Sequence, residues 1–253
     1  MNIVAAKTLL IKEIWRFLRV PGQTLLGPLV SVALYFLVFS KAPFAEHARL
    51  NGQPYMMFVF PGLLFLTLSN GALLNTSSSI LIAKIQGTVV DLLSAPMGAA
   101  ELLLGWIGGA MVRGLLLGAL TVGIAALFVP LSGIQWLTLF GLSALITYVF
   151  ALLGILTGIW SENFEQVSLI PNFFLVPMVF LGGVFYEVSH LPPPFDTISL
   201  FNPVVFMIDA LRGAVSGYTN LHTWTGLGIL LLLAIIFSLI SVLFIQRGYK
   251  LRT

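Results

Sequence analysis

Of 253 residues, 58% are hydrophobic and only 8% are charged, and the mean hydropathy is +1.04. Soluble domains carry about 25% charged residues, so the sequence excludes a soluble enzyme or binding module and reads as an all-α polytopic membrane protein. With no cysteine, disulfides, thiol catalysis and cysteine-ligated metals are excluded as well, and the net charge of +3 informs only through where its members sit.

Residues 1–21 read as an amphipathic helix without the continuous apolar core or small-residue cleavage site of a signal peptide. Lys12, Arg16 and Arg19 recur on one face at helical spacing, Leu10, Ile14 and Phe17 on another, and Trp15 suits the headgroup level. Such a helix lies in the membrane interface, its basic side toward anionic lipid or a partner. The alternative is a basic flank that merely orients the next span. Pro21-Gly22 end the segment.

Six apolar runs follow, near 23–40, 55–81, 103–128, 134–160, 169–186 and 224–246, each long enough to cross a hydrocarbon core. An even number places both termini on one side. Lys7, Lys12, Arg16, Arg19, Lys84, Arg247, Lys250 and Arg252 lie on that side, against Lys41, Arg49 and Arg212 on the other. The excess of basic residues predicts cytoplasmic termini.

The second span carries Ser69, Asn70, Asn75, Thr76, Ser77, Ser78 and Ser79 toward its inner end. In hydrocarbon these must face protein or water, as the lining of a conduit or as hydrogen bonds between helices. After it, Ala83–Met97 (AKIQGTVVDLLSAPM) sets Ile85, Val89 and Leu92 at helical spacing, with Lys84, Gln86 and Asp91 elsewhere on the wheel. Too polar to span and too apolar for a free loop, it either offers an apolar ridge to a partner or packs on the chain's own spans. Arg113, the one basic residue deep in a span, is placed to snorkel, to pair with a carboxylate or to meet an anionic substrate. Gly105/Gly109, Gly114/Gly118 and Gly154/Gly158 have the small-xxx-small spacing that lets helices approach closely. Between the fourth and fifth spans, Ser161–Ser168 is a short connection with Glu162 and Glu165 and no basic residue. Phe58, Phe60, Phe65 and Tyr148 are membrane-embedded aromatics, placed to stack on a ligand or to pack the bundle.

Leu181–Gly213 (LGGVFYEVSHLPPPFDTISLFNPVVFMIDALRG) is apolar yet broken. Gly182-Gly183 interrupt the run, and Pro192, Pro193 and Pro194 forbid a continuous helix. Asn202 has the signature of an N-cap, with Pro203 at the first helical position and Gly213 just past the end. The intervening helix has about ten residues, half of a span. Residues 184–213 therefore read as a re-entrant segment between the fifth and sixth spans on the outer face.

No GxxxxGK[ST], HExxH or GxSxG occurs, and His47, His190 and His222 have no ligand spacing. An intramembrane enzyme, a proton-coupled carrier with a mid-span carboxylate and a filter-bearing channel all lack their residues.

These features together resemble the ABC-2 type permeases, membrane subunits of ABC exporters, and among them the YadH-like branch. Three blocks carry the resemblance: YMMFVFPGLLFL (Tyr55–Leu66), AKIQGTVVDLLSAPM with ELLLGWIGGAMVRGLLLG (Ala83–Gly118), and Ser168–Gly213 followed by IQRGYKLR at the end of the chain. The resemblance implies a single transmembrane domain over 1–253 that works as a dimer, with the route at the dimer seam. It implies two copies of a separate ATPase subunit, on which ATP and Mg bind; this chain needs no cofactor of its own. The interfacial helix (Lys12, Trp15, Arg16, Arg19) and the 83–97 connection (Lys84, Ile85, Gln86, Val89, Asp91, Leu92) would contact that ATPase. Asn70, Asn75, Ser78 and Arg113 are, from their own chemistry and not from the resemblance, the candidates either to line the route or to hold neighbouring helices together. Gly183, Tyr186, Glu187, Pro193, Asn202, Pro203, Asp209 and Arg212 would belong to the outer gate. The expected setting is the inner (plasma) membrane, with bilayer, ATPase and a second copy as partners and no nucleic acid. An ATP-independent channel or secondary carrier is the competing reading.

Overall fold

A computed structural model of the chain describes residues 2–41, 49–50, 53–216 and 221–250. Met1, His47 and Arg252 lie outside the described residues, as do the side chains of Arg49 and His222. The helices are α1 (Ile3–Leu18), α2 (Gly22–Lys41), α3 (Tyr55–Ile85), α4 (Thr88–Ser94), α5 (Ala99–Ala125), α6 (Trp136–Trp160), α7 (Phe164–Leu181), α8 (Phe195–Leu200), α9 (Pro203–Ser216) and α10 (Leu221–Arg247). A pair of two-residue strands, Arg49–Leu50 and Gln53–Pro54, leads into α3. Among the described residues six helices are long and apolar enough to span: α2, α3, α5, α6, α7 and Trp224–Arg247 of α10.

The bundle is built around α3. Its 31 residues extend about 46 Å, well beyond a hydrocarbon core of about 30 Å, so its last turns project past the membrane. It packs against α5, α6 and α9, and nearly all its side chains are buried. Phe58, Phe60 and Phe65 are wholly enclosed, Phe65 meeting Phe150 of α6 edge-on; these aromatics pack the bundle rather than offer a face to a ligand. Tyr148 pairs with Ser238 of α10 at 2.8 Å. Pro61 stands inside α3 and removes the amide that would reach the Met57 carbonyl.

Glycine sets the closest approaches. A Cβ on Gly154 of α6 would lie 2.4 Å from the Leu73 carbonyl oxygen and 2.1 Å from Thr76 Oγ1 of α3. The Thr76 hydroxyl uses that proximity to donate to the Ala151 carbonyl at 2.8 Å. The small-xxx-small spacing at Gly154/Gly158 is thus a helix–helix seam within one chain. On α5 the spacing serves two neighbours: Gly114 and Gly118 face α3 and α6, while Gly105 and Gly109 face α1.

Several boundaries differ from the sequence reading. α7 starts at Phe164 rather than near 169, because Asn163 caps it, its Oδ1 accepting the Gln166 amide at 2.9 Å. Ser161–Ser168 is therefore half helix. α7 ends at Leu181, before the Gly182-Gly183 turn, where Gly183 adopts φ +72°, a conformation that penalises a Cβ. Pro171 and Pro177 interrupt its hydrogen-bond ladder, and a π-helical stretch, Ile170–Leu175, absorbs the shift. α5 begins at Ala99, earlier than predicted, because Glu101 accepts the Gly98 amide at its start. α9 runs to Ser216, so Gly213 lies buried inside the helix and does not end it; Pro203 opens it, and Asn202 Oδ1 accepts the Val204 amide at 3.0 Å.

Candidate functional sites at the two ends of the bundle

The end that carries both termini is organised by α1 and α4. Helix α1 opens on the N-cap Asn2, whose Oδ1 accepts the Ala5 amide; the Asn2 amide in turn donates to Glu101 Oε1 at 2.8 Å. It then runs along the first half of α5, with Leu9 seated over Gly105 and Glu13 over Gly109. The inward face is Leu9, Glu13 and Phe17, one position away from the Leu10, Ile14, Phe17 face read from the spacing. Trp15, at 59% exposure, looks outward with Lys12 and Arg19. The basic face is split, because Arg16 turns in.

Glu13 draws Arg16 inward. Its side chain is fully buried, Oε2 accepting from Arg16 Nε at 2.9 Å and Oε1 from Ser79 Oγ at 2.7 Å. Lys12 Nζ lies 3.6 Å away. The guanidinium of Arg16 continues into α3, donating through Nη2 to the Asn75 carbonyl (2.7 Å) and Oδ1 (3.0 Å) and through Nη1 to Ser78 Oγ (3.3 Å). A buried carboxylate is costly unless paired and hydrogen-bonded, and this one has both. Glu13 was missed in the sequence. Its signal was available: it is the only acidic residue among the first 40 and sits four residues from both Leu9 and Phe17.

The four residues expected on a route are not equivalent. Asn75 and Arg113 are buried in the protein; Arg113 donates to the Thr24 carbonyl at 3.3 Å, and among the described residues no carboxylate forms an ion pair with it. Asn70 and Ser78 instead fall on the one partly exposed stripe of α3, formed at intervals of four by Leu66, Asn70, Leu74, Ser78 and Ile82.

Past the end of α3, the 83–97 segment is not one helix. Gly87, at φ +73°, turns the chain into the short α4. Val89 is buried and Leu92 packs against the core, so two of the three residues of the predicted ridge face the chain's own bundle, while Ile85 is 59% exposed. Ile85, Gln86, Val90 and Asp91 are among its exposed residues. Lys84 is occupied as well, donating to the carbonyls of Ile159 (2.8 Å) and Ser161 (2.7 Å) at the end of α6, where a cation also meets the helix dipole favourably. Lys250 joins it there, 3.1 Å from Glu162.

At the opposite end α9 lies across α3, α6 and α10. Arg212 is its anchor: it pairs with Asp209, donates to the Gly183 carbonyl at 3.0 Å and stacks 3.8 Å above the Phe58 ring of α3. Asn202 Nδ2 donates to the Met178 carbonyl at 2.6 Å. Tyr186 donates to the Phe180 carbonyl, and burial raises its phenol above the ordinary value. Glu187 faces His190 at 3.8 Å. Pro193, which precedes a cis bond to Pro194, is exposed. All eight residues read as one group thus lie in or beside the α7–α9 connection.

Six apolar spans, one of them a buried central helix, with the ion pairs among the described residues at the two ends, are the architecture of a multi-pass membrane protein. The family model for ABC-2 type transporters matches residues 4–216. The chain is 36% identical over 250 residues to the inner membrane transport permease YadH of Escherichia coli strain K12, covering 99% of this chain and 98% of that protein. It is 22% identical over 229 residues to nodulation protein J of Rhizobium leguminosarum bv. viciae, covering 88% and 87%. The chain belongs to the ABC-2 type transporter family, as an inner-membrane permease subunit whose family membership implies an ABC ATPase partner.

Proposed function

We propose that this chain is the membrane half of an ATP-driven exporter that moves an amphipathic, lipid-linked or drug-like substrate outward, with hydrolysis of Mg-ATP confined to two copies of a separate ATPase subunit. The observation that carries the reading is the arrangement at the terminal end. Ile85, Gln86, Val90 and Asp91 are exposed there on a segment continuous with α3, beside an α1 that shows Lys12, Trp15 and Arg19 outward. A partner that pushes on α4 pushes directly on the central helix. Cytoplasmic termini, favoured by the distribution of basic residues, put this surface where ATP is.

In this reading two copies of the chain face each other across the stripe that holds Asn70 and Ser78. The residues around α9 close the outer end. Asn75 and Arg113 have structural work and leave the list of route residues, and Val89 leaves the list of ATPase contacts. ATP shifts the balance between the two states by binding one of them better. The sparse charge of the exposed stripe, and of the spans generally, favours amphipathic cargo over strongly charged solutes.

The test is gentle-detergent recovery of the chain from native membranes, with crosslinking. A P-loop ATPase recovered with it in equal amount is the expected result. Repeated recovery of the permease alone, together with passive ion flux from the purified chain, would replace this reading by a channel or carrier.

A further inference from the structure

Helix α1 packs its backbone chiefly against α5. Its reach to α3 is made by side chains, through one cluster: Glu13 to Ser79, and Arg16 to Asn75 and Ser78. Three features mark this cluster as more than packing. Glu13 is completely enclosed, and Gly109 lies so close beneath it that a Cβ there would stand 2.4 Å from the Glu13 Cβ; α1 therefore has little room to slide over α5. Arg16 grips α3 at both the carbonyl and the side chain of Asn75, so it holds backbone as well as side chain. It also touches Ser78, a member of the partly exposed stripe that includes Asn70.

We propose that Glu13 and Arg16 are positioning residues that carry movement of α1 to the exposed stripe of α3. Two inputs then converge on the central helix: α4 acts through chain continuity, α1 through this buried pair. The cluster moves as one piece, because breaking it would take the guanidinium away from a fully buried carboxylate. This rests on the reading of the chain as the partner of an ATPase.

The natural absence of cysteine gives a clean probe. Asn70→Cys, on the stripe and outside the cluster, is introduced into the full permease–ATPase complex, and its rate of labelling by a small maleimide is measured without nucleotide and after trapping with Mg-ATP and vanadate. The labelling rate is expected to change about fivefold or more on trapping, the lower range of site-to-site coupling. With Glu13→Gln added, which keeps the shape and one acceptor oxygen for Arg16 but removes the charge, the change is expected to fall below about twofold, while the ATPase still co-purifies and hydrolyses ATP. A merely structural role would lower assembly and hydrolysis together and leave the trapped-to-free ratio of the assembled fraction intact. If Glu13→Gln does not assemble, Arg16→Lys decides: it leaves Glu13 paired but cannot reach Asn75 and Ser78 together, and the same loss of response is expected. An unchanged nucleotide response in the assembled variant overturns the proposal and leaves the exporter reading standing. A parent complex without an ATPase or without a nucleotide response removes that reading and this inference with it.

Discussion

The contact between α3 and α6 at Gly154 offers the sharpest test of how this bundle is held. An added methyl group would meet the Leu73 carbonyl oxygen at 2.4 Å and Thr76 Oγ1 at 2.1 Å, about 1 Å inside ordinary van der Waals contact. The two helices must separate or tilt, and overpacking of this kind costs about 1–3 kcal/mol. The same displacement breaks the 2.8 Å bond from Thr76 to the Ala151 carbonyl, worth about 0.6 kcal/mol or somewhat more in membrane bundles. Against this, alanine is a better helix former than glycine by about 0.5–1 kcal/mol. Gly141, in the same helix, isolates that last contribution, since nothing lies within 4 Å of its added Cβ. Gly154→Ala is therefore expected to lie about 3 kcal/mol below Gly141→Ala, or about 6–12 °C in Tm for a chain of this size. The assay is thermal unfolding of the two variants in one detergent, followed by fluorescence-detected size-exclusion chromatography. Equal melting temperatures would refute the claim that this glycine sets the seam.

Three further outcomes follow from the ends of the bundle. Arg212→Leu removes the cation paired with Asp209 and releases the Gly183 carbonyl and the Phe58 face, so a loss of about 2–4 kcal/mol is expected; the double variant with Asp209→Leu should recover at least half of it, and failure to recover would mean that packing of Arg212, not charge pairing, holds α9. Lys84→Met removes both donors from the Ile159 and Ser161 carbonyls, a cost of about 1–3 kcal/mol, and hydrogen exchange should rise at the last turn of α6 but not in its middle. Ile85→Asp combined with Asp91→Lys alters two exposed positions, so it is expected to lower ATPase recovery about tenfold with melting unchanged within about 2 °C; unaltered recovery would move the docking surface elsewhere.

Much of the architecture was readable because apolar length is a strong signal: the six spans and the break at Gly182-Gly183 follow from hydropathy and from two residue types that stop helices. Boundaries were less accurate where a side-chain cap extended a helix, as Asn163 and Glu101 do, since neither is followed by the proline that marked Asn202 as a cap. Gly213 misled because glycine next to the expected end of a helix suggests a stop, whereas tight packing in the bundle also selects glycine. The site was the harder part. Spacing on a helical wheel places residues on faces but does not say which face is inside. Arg16 reads as part of a basic surface until Glu13 supplies its buried partner, and Val89 reads as a docking ridge until Gly87 turns it back onto the bundle. Asn70 and Asn75 look alike in sequence, and only the packing of α3 separates the exposed one from the enclosed one.

The Pro61 break in α3 leaves an uninterrupted stretch from Gly62 to Ile85, a rod of about 36 Å. Pivoting on its terminal end, such a rod moves its opposite tip by about 0.6 Å per degree of tilt. That tip is Gly62, where a Cβ would stand only 2.6 Å from Val184, in the turn that Arg212 also holds through Gly183. With no clearance at the tip, a tilt of a few degrees at the terminal end must either be absorbed in the two turns ahead of Pro61 or displace the α7–α9 connection.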